Sequence, residues 1–211
     1  METQKEIKNI VWQNSRVGRS KREFHNQHKS VILWFTGLSG AGKSSIALAL
    51  ERKLAELNKQ VYVLDGDNIR HGLNSDLGFS PEDREENIRR VGEVAKLFMD
   101  AGMITIVSFI SPYKRDRNKI RQTVNVGKFV EVFIDCNIKE CERRDPKGLY
   151  AKARSGEIKD FTGISAPYEP PSKPEIHLKT DENTIDESVT AIINYLENNI
   201  LVSSLTCQKT L

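Results

Sequence analysis

The chain has 211 residues, 38% of them hydrophobic and 29% charged, with only 7 Pro and 13 Gly. This excludes collagen-like, low-complexity and wholly disordered chains and leaves one compact domain with short tails as the simplest organisation. The net charge is +3, and the basic excess is local: residues 1–30 hold seven Lys/Arg against three Asp/Glu, and the remainder 25 against 26. A near-neutral body argues against a nucleic-acid-binding face.

In chain order, residues 1–30 read as a polar arm whose few apolar residues, Ile10, Val11, Trp12 and Phe24, could dock on the body or on a second subunit. The arm has no apolar h-region of a secretory leader, and His25 and His28 read as a surface pair rather than a metal site. Val31 to Thr36 is a continuous apolar run, as expected of a strand covered on both faces. A Gly-rich turn and a helix from Lys43 to Leu57 follow, then a second strand, Val61 to Leu64, that ends in Asp65-Gly66-Asp67. Ser80-Pro81 opens a helix with an apolar stripe of Ile88, Val91, Val94, Ala95, Leu97 and Phe98, which Gly102 closes. Met103–Ile110 reads as a third strand, Lys114–Val126 as helix, and Phe129–Ile134 as a fourth strand. Residues 137–160 are charged and partly helical, Ala166–Lys173 is a proline-containing loop, and Ile176–Leu178 is a short fifth strand. A last helix carries Ile185, Val189, Ile192, Ile193, Leu196 and Ile200 on one face, before a frayed tail over 203–211. Strands alternating with helices imply a parallel α/β sheet with right-handed crossovers. No apolar stretch approaches the roughly 20 residues that span a bilayer, so no membrane is expected. Cys136, Cys141 and Cys207 are odd in number and lack zinc spacing. Reduced thiols and a soluble, cytoplasmic protein are therefore expected.

The turn after the first strand reads Gly37-Leu38-Ser39-Gly40-Ala41-Gly42-Lys43-Ser44, matching G-x-x-x-x-G-K-[ST]. In such a loop the backbone N–H groups and the helix N-terminus cradle phosphates. Lys43 reaches the β and γ phosphates, and Ser44 offers its hydroxyl to Mg²⁺. The motif lies between a buried strand and an amphipathic helix, where this chemistry needs it. An Asn-Lys-x-Asp guanine-reading segment is absent, since Asn58-Lys59 and Asn118-Lys119 both lack the Asp. Asp65 and Asp67 end the second strand on the side where open α/β sheets bind ligands. There an acid can hold Mg²⁺ through water or accept a proton from an attacking hydroxyl, and the residues alone leave open which of the two does so.

The run Asp65-Gly-Asp-Asn-Ile-Arg-His-Gly-Leu-Asn-Ser-Asp-Leu-Gly-Phe-Ser-Pro-Glu-Asp-Arg through Gly92 resembles the adenylylsulfate kinase (APS kinase) family. Phe109-Ile-Ser-Pro-Tyr113, Asp145-Pro-Lys-Gly-Leu-Tyr150 and Phe161-Thr-Gly-Ile164 do so too, and the similarity extends from about Asn9 to Leu201. The resemblance implies a P-loop nucleoside-triphosphate hydrolase-type three-layer α/β fold, with a mainly parallel five-stranded sheet over 31–202 and a lid at about 143–163. It implies transfer of the γ-phosphoryl of ATP to the 3′-hydroxyl of adenosine 5′-phosphosulfate (APS), giving 3′-phosphoadenosine 5′-phosphosulfate (PAPS) and ADP in sulfate assimilation. It also implies Mg²⁺, a homodimer, and no nucleic-acid partner.

By the same resemblance, Arg70 and Arg84 bind the acceptor's anionic groups, Phe79 and Phe161 sandwich its adenine, and Asn87, Lys147, Ile110, Ser111 and Asp67 complete that site. Asn183 matches the position near the ATP adenine. Ser111 is the family's designated active-site serine, described as a phosphoserine intermediate. Direct in-line transfer does not require one, and a serine without a nearby base is a weak nucleophile. The cations Arg143, Arg144, Lys147, Lys152, Arg154 and Lys159 read as a lid over the phosphates. Ser45 stands where the family commonly has Thr. Two other readings stay open on the residues alone, namely a P-loop kinase with a different acceptor and a nucleotide-sensing module whose arm binds a macromolecule.

Overall fold

The computed structural model describes residues 10, 11 and 13–201; Trp12, Cys207 and the 203–211 tail lie outside them. The elements are α1 (Arg19–Asn26), β1 (Val31–Thr36), α2 (Lys43–Glu56), β2 (Val61–Asp65), α3 (Gly66–Arg70), α4 (Pro81–Asp100), β3 (Ile104–Ser108), α5 (Lys114–Gln122), β4 (Phe129–Asp135), α6 (Ile138–Arg144), α7 (Leu149–Arg154), β5 (Ile176–Lys179) and α8 (Ile185–Leu196). The strands form one parallel sheet in the order β2-β3-β1-β4-β5.

Every residue of β1 is buried because alternate side chains feed two separate cores. Val31, Leu33 and Phe35 pack with Ile46, Leu50 and Leu54 of α2 and Ile192 and Leu196 of α8. Ile32 and Trp34 pack with Ile88, Val91 and Ala95 of α4 and Ile120 of α5. The result is the expected three-layer sandwich. At Gly92, α4 approaches α5 so closely that a Cβ would lie 2.3 Å from Ile120 Cδ1.

The boundaries differ from the sequence reading at several places. Helix α5 stops at Gln122 rather than Val126, because Val126 is wholly exposed and has no core to reach. The acidic turn is a short helix, α3, whose N-cap Asp65 accepts from the Asp67 N–H. Strand β3 ends at Ser108, not Ile110, and the chain then leaves the sheet toward Ser111, whose φ is +40°. Ser80 and Pro81 start α4 as expected, the serine hydroxyl accepting from Asp83 N–H. A capping box between Thr184 and Glu187 starts α8, which passes into a π-turn over Glu197–Leu201 that keeps Ile200 buried.

The second half of the arm packs on the body. Arg22 donates to the Asp100 carbonyl at 2.8 Å, and Asn26 to the Gly102 carbonyl at 3.0 Å. Glu23, 6% exposed, accepts from the Ser30 amide and hydroxyl and from Lys128. His28 is not a surface residue: it is buried, and its Nε2 accepts from the Gln60 N–H at 2.9 Å, just ahead of β2. Ile10, Val11 and Phe24 remain exposed.

Candidate active site

The phosphate loop runs from the end of β1 into α2 through a gap that only glycine fits. A Cβ on Gly37 would lie 2.2 Å from the Ile134 carbonyl oxygen, and one on Gly40 2.9 Å from that of Cys141. Gly40 and Gly42 also adopt φ of +74° and +97°, the left-handed region that L side chains disfavour. Lys43, the first residue of α2, is buried, and its Nζ donates to the carbonyls of Gly37 (2.9 Å) and Leu38 (2.7 Å). Burial lowers its pKa to about 8. Next to it, Ser44 Oγ donates to Asp65 Oδ2 at 2.7 Å, while Asp65 Oδ1 accepts from the Asp67 N–H at 3.0 Å. Both oxygens of Asp65 are thereby fixed between the phosphate helix and the end of β2.

One cavity of about 900 Å³ runs from this loop across the carboxyl ends of the strands, as the ligand crevice of an open α/β sheet does. Ser39, Gly40, Gly42, Lys43, Ser44 and Asn183 line its phosphate side. Asp67, Arg70, Phe79, Arg84, Asn87, Ile110, Ser111, Lys147 and Phe161 line the other. Gly37, Leu38 and Ala41 shape the loop from behind, and Ala41 is fully buried. The chain thus brings the expected residues to one place, although several are engaged differently from the simple expectation.

Arg70 donates to the carbonyls of Leu77 (3.1 Å) and Gly78 (2.9 Å) and lies over the Phe79 ring at 4.4 Å. Burial, reinforced by nearby Arg84, lowers its pKa. Arg84 uses all three nitrogens on the protein, reaching the Phe79 carbonyl (2.9 Å), Thr162 Oγ1 (2.7 Å) and the Asp160 carbonyl (2.6 Å). It therefore clasps the end of the 143–163 segment to α4. Phe79 is 64% exposed, whereas Phe161 is 9% exposed and packs edge-on to Tyr150 with centroids 5.0 Å apart. The two rings share the cavity, but Phe161 is also part of the core. Lys147 forms an ion pair with Asp67 across the cavity mouth.

Of the other basic residues in the 143–163 segment, Arg144 alone lines the cavity. It donates to the Thr180 carbonyl at 2.6 Å, and Thr180 Oγ1 donates to the Ala41 carbonyl at 2.7 Å. Arg143, Lys152 and Arg154 pair with Glu140, Glu157 and Glu142 on the surface. The Asp145 carboxylate accepts from the amides of Tyr150 and Ala151, and Tyr150 donates to the Ser39 carbonyl at 3.0 Å. The 143–163 segment is thereby tied to the phosphate loop.

Ser111 is 2% exposed, and among the described residues its Oγ is partnered by the Trp34 indole, which donates at 3.1 Å. Its backbone is held by residues that the sequence reading passed over. Thr36 Oγ1 donates to the Ile110 carbonyl (2.7 Å), and Arg117, itself 1% exposed, donates to the carbonyls of Ser111 (2.6 Å) and Glu169 (2.8 Å) and to Glu131 (2.6 Å). Thr36 had one signal, a hydroxyl closing an apolar run just before the glycine turn; Arg117 had none, as one cation in a highly charged helix. Burial raises the pKa of the Cys141 thiol under the loop, and the neighbouring Cys136 adds to the effect. That is the behaviour of an inert packed cysteine.

The family model described as "Adenylylsulphate kinase" matches residues 29–179. The adenylyl-sulfate kinase of Staphylococcus haemolyticus is 58% identical over 92% of this chain and 98% of its own. The Mycobacterium tuberculosis APS kinase, solved in complex with AMPPNP and APS, is 51% identical, with a TM-score of 0.76 over 81% of this chain and 99% of that one. A hexameric APS kinase from Thiobacillus denitrificans is 34% identical, with a TM-score of 0.62, over 82% of this chain and 30% of that chain. The family model spans well over half of the chain, and the Staphylococcus relative matches it at 58% identity over nearly its whole length: the chain belongs to the adenylylsulphate kinase family.

Proposed function

We propose that ATP lies on residues 37–44 and APS in the half-cavity of Arg70, Phe79, Asn87 and Ser111, with direct in-line transfer between them. The activity is that of an ATP-dependent adenylylsulfate kinase, which converts ATP and APS to ADP and PAPS. The observation that carries the residue assignment is the single cavity that joins the phosphate loop to a second, arginine- and phenylalanine-lined half. The Mycobacterium relative, solved with AMPPNP and APS, supports two nucleotides in such a space.

In the step, the 3′-hydroxyl oxygen of APS bonds to the γ-phosphorus as the bond to the β–γ bridging oxygen breaks. ADP takes the leaving electron pair, and the hydroxyl proton passes to the Asp65 carboxylate. Lys43 places positive charge against the phosphates, and the lid, anchored through Tyr150 and Arg144, keeps water from competing with the acceptor. Asp67 and Lys147 belong to the acceptor side, and Asn183 to the ATP adenine.

Ser44 Oγ and Asp65 Oδ2, 2.7 Å apart, are an all-oxygen pair of the kind Mg²⁺ accepts. Ser44 and Asp65 would hold Mg²⁺ there, and the bound ion would supply positive charge against the triphosphate. The pair leaves further positions to water and substrate oxygens, which is normal for this ion.

Ser111 acts through its place in the loop. Its buried hydroxyl is bonded to an indole rather than to a base, which favours direct transfer over a phosphoserine. A cytoplasmic homodimer completes the proposal. Among the described residues no helix is long and apolar enough to cross a membrane, and sedimentation of the purified chain separates a dimer from the hexamer named for the Thiobacillus relative. The primary test is ADP release from MgATP with and without APS, with the product identified by mass. APS-dependent release with PAPS formed is the expected result, and APS-independent release alone overturns the acceptor assignment.

A further inference from the structure

Asn74 lies in the segment between α3 and α4 and is fully buried, and Asn87 of α4 is 4% exposed. Asn74 Nδ2 donates to Asn87 Oδ1 at 2.9 Å and sits 3.5 Å from the Asn87 backbone carbonyl oxygen. A carbonyl oxygen can only accept, so the amide end that faces it is the NH₂ group of Asn74. That sets the orientation of Asn87 in turn, because its side-chain oxygen must face Asn74. The arrangement has a cost: Asn74 Oδ1 is buried with no partner among the described residues. A fold keeps such a defect where it secures something else.

Asn87 lines the cavity on its acceptor side and Asn74 does not. With its oxygen turned to Asn74, the end of the Asn87 amide left to face the cavity is its NH₂ group, which can only donate. We infer that Asn74 is a positioning residue for acceptor recognition: it locks the Asn87 amide so that the cavity presents a donor, and the site selects an acceptor nucleotide with a lone pair, on a ring nitrogen or an oxygen, at that point. The inference rests on the reading that Asn87 contacts the acceptor.

The test compares Asn74→Ala, Asn74→Asp, Asn87→Ala and the Asn74→Ala/Asn87→Ala double variant, measuring KM for APS, KM for ATP and Tm. The near-isosteric Asn74→Asp keeps the volume but cannot donate, so it draws the Asn87 NH₂ toward itself and turns its oxygen to the cavity. Both Asn74 variants should raise KM for APS about ten-fold, the effect of about one hydrogen bond, and leave KM for ATP within about two-fold. The double variant should match Asn87→Ala alone, since Asn74 acts through Asn87. If Asn87→Ala raises KM for APS but the Asn74 variants do not, or if the two effects multiply, the inference fails while the reading of Asn87 stands. If both KM values rise together with a lowered Tm, Asn74 is only structural and the inference also fails. If Asn87→Ala itself leaves APS unaffected, the reading of Asn87 is wrong and the inference falls with it.

Discussion

Trp34 and Ser111 are joined by a hydrogen bond in which the indole Nε1 donates to Oγ over 3.1 Å. Trp34 belongs to the buried middle of β1, so the strand that leads into the phosphate loop also holds a serine of the half-cavity proposed for the acceptor. A hydroxyl in this position is an acceptor toward the core and, among the described residues, is bonded to no base that could activate it. Rapid-quench experiments with γ-labelled ATP are therefore expected to show no acid-stable label on the protein during turnover, and Ser111→Ala should retain measurable transfer. A labelled species that forms and decays at the turnover rate would reject direct transfer.

Asp65 and Asp67 are separable. Asp65 is fixed by Ser44 and by its own helix cap, and Asp67 pairs with Lys147. Asp65→Asn is expected to lower kcat by about 10²–10⁴-fold, the range for a general base and charge-positioning group, and to raise the Mg²⁺ concentration needed for half activity. Asp67→Asn should chiefly raise KM for APS. Single-turnover rates at saturating substrates distinguish these outcomes, and equal kcat losses in both variants would contradict the assignment.

Burial holds Lys43 at about 8 instead of the usual 10.5. A bound triphosphate favours the charged form and raises that value, so ATP binding is linked to proton uptake once the free lysine begins to deprotonate. KM for ATP should be flat below pH about 8 and rise above it, by up to about ten-fold per pH unit. A profile of KM for ATP across pH 6.5 to about 9.5, with Lys43→Arg for comparison, checks this; the arginine variant should lose the inflection even if its activity is low.

Glu23 anchors the arm. Burial pushes its carboxyl up, but the Ser30 hydroxyl and amide together with Lys128 outweigh that and bring it to about 2, against an ordinary 4.5. Because the folded value is the lower one, the carboxylate stabilises the fold above pH about 4.5, and that contribution disappears as pH falls through about 2. Glu23→Gln should cost about 2 kcal/mol at neutral pH, a fall in Tm of about 4–8 °C for a domain of this size. The deficit relative to the parent should shrink on acidification from about pH 5. A deficit independent of pH would mean that lost packing, not charge, is responsible.

The parts legible in the sequence were those written in contiguous residues. The phosphate loop and the acid at the end of β2 carry their geometry in local spacing. So do the Ser80-Pro81 start of α4 and the alternation of apolar strands and amphipathic helices. What could not be read depends on partners far apart in the chain. Trp34 meets Ser111, Arg117 meets Glu131 and Glu169, and Arg84 meets Asp160 and Thr162. No periodicity marks a buried arginine among exposed ones, and a polar N-terminal segment gives no sign that one glutamate and one histidine in it are buried. The charges of the 143–163 segment depend on their partners too: a run of cations looks like one phosphate-binding surface, but Arg143, Lys152 and Arg154 pair with glutamates.

Strand β2 lies at the edge of the sheet and is braced by β3 alone. Successive strand residues point to opposite faces, so a slip of one position would turn the Asp65 carboxylate away from Ser44 and into the other helical layer. Both ends of the strand are pinned against such a slip, at Asp65 by its cap on α3 and at Gln60 by the imidazole of His28. The arm that joins the body through His28 thus has a part in aiming a carboxylate at the far end of the strand. A perturbation at the rim of the molecule can therefore be felt as misalignment at its chemical centre.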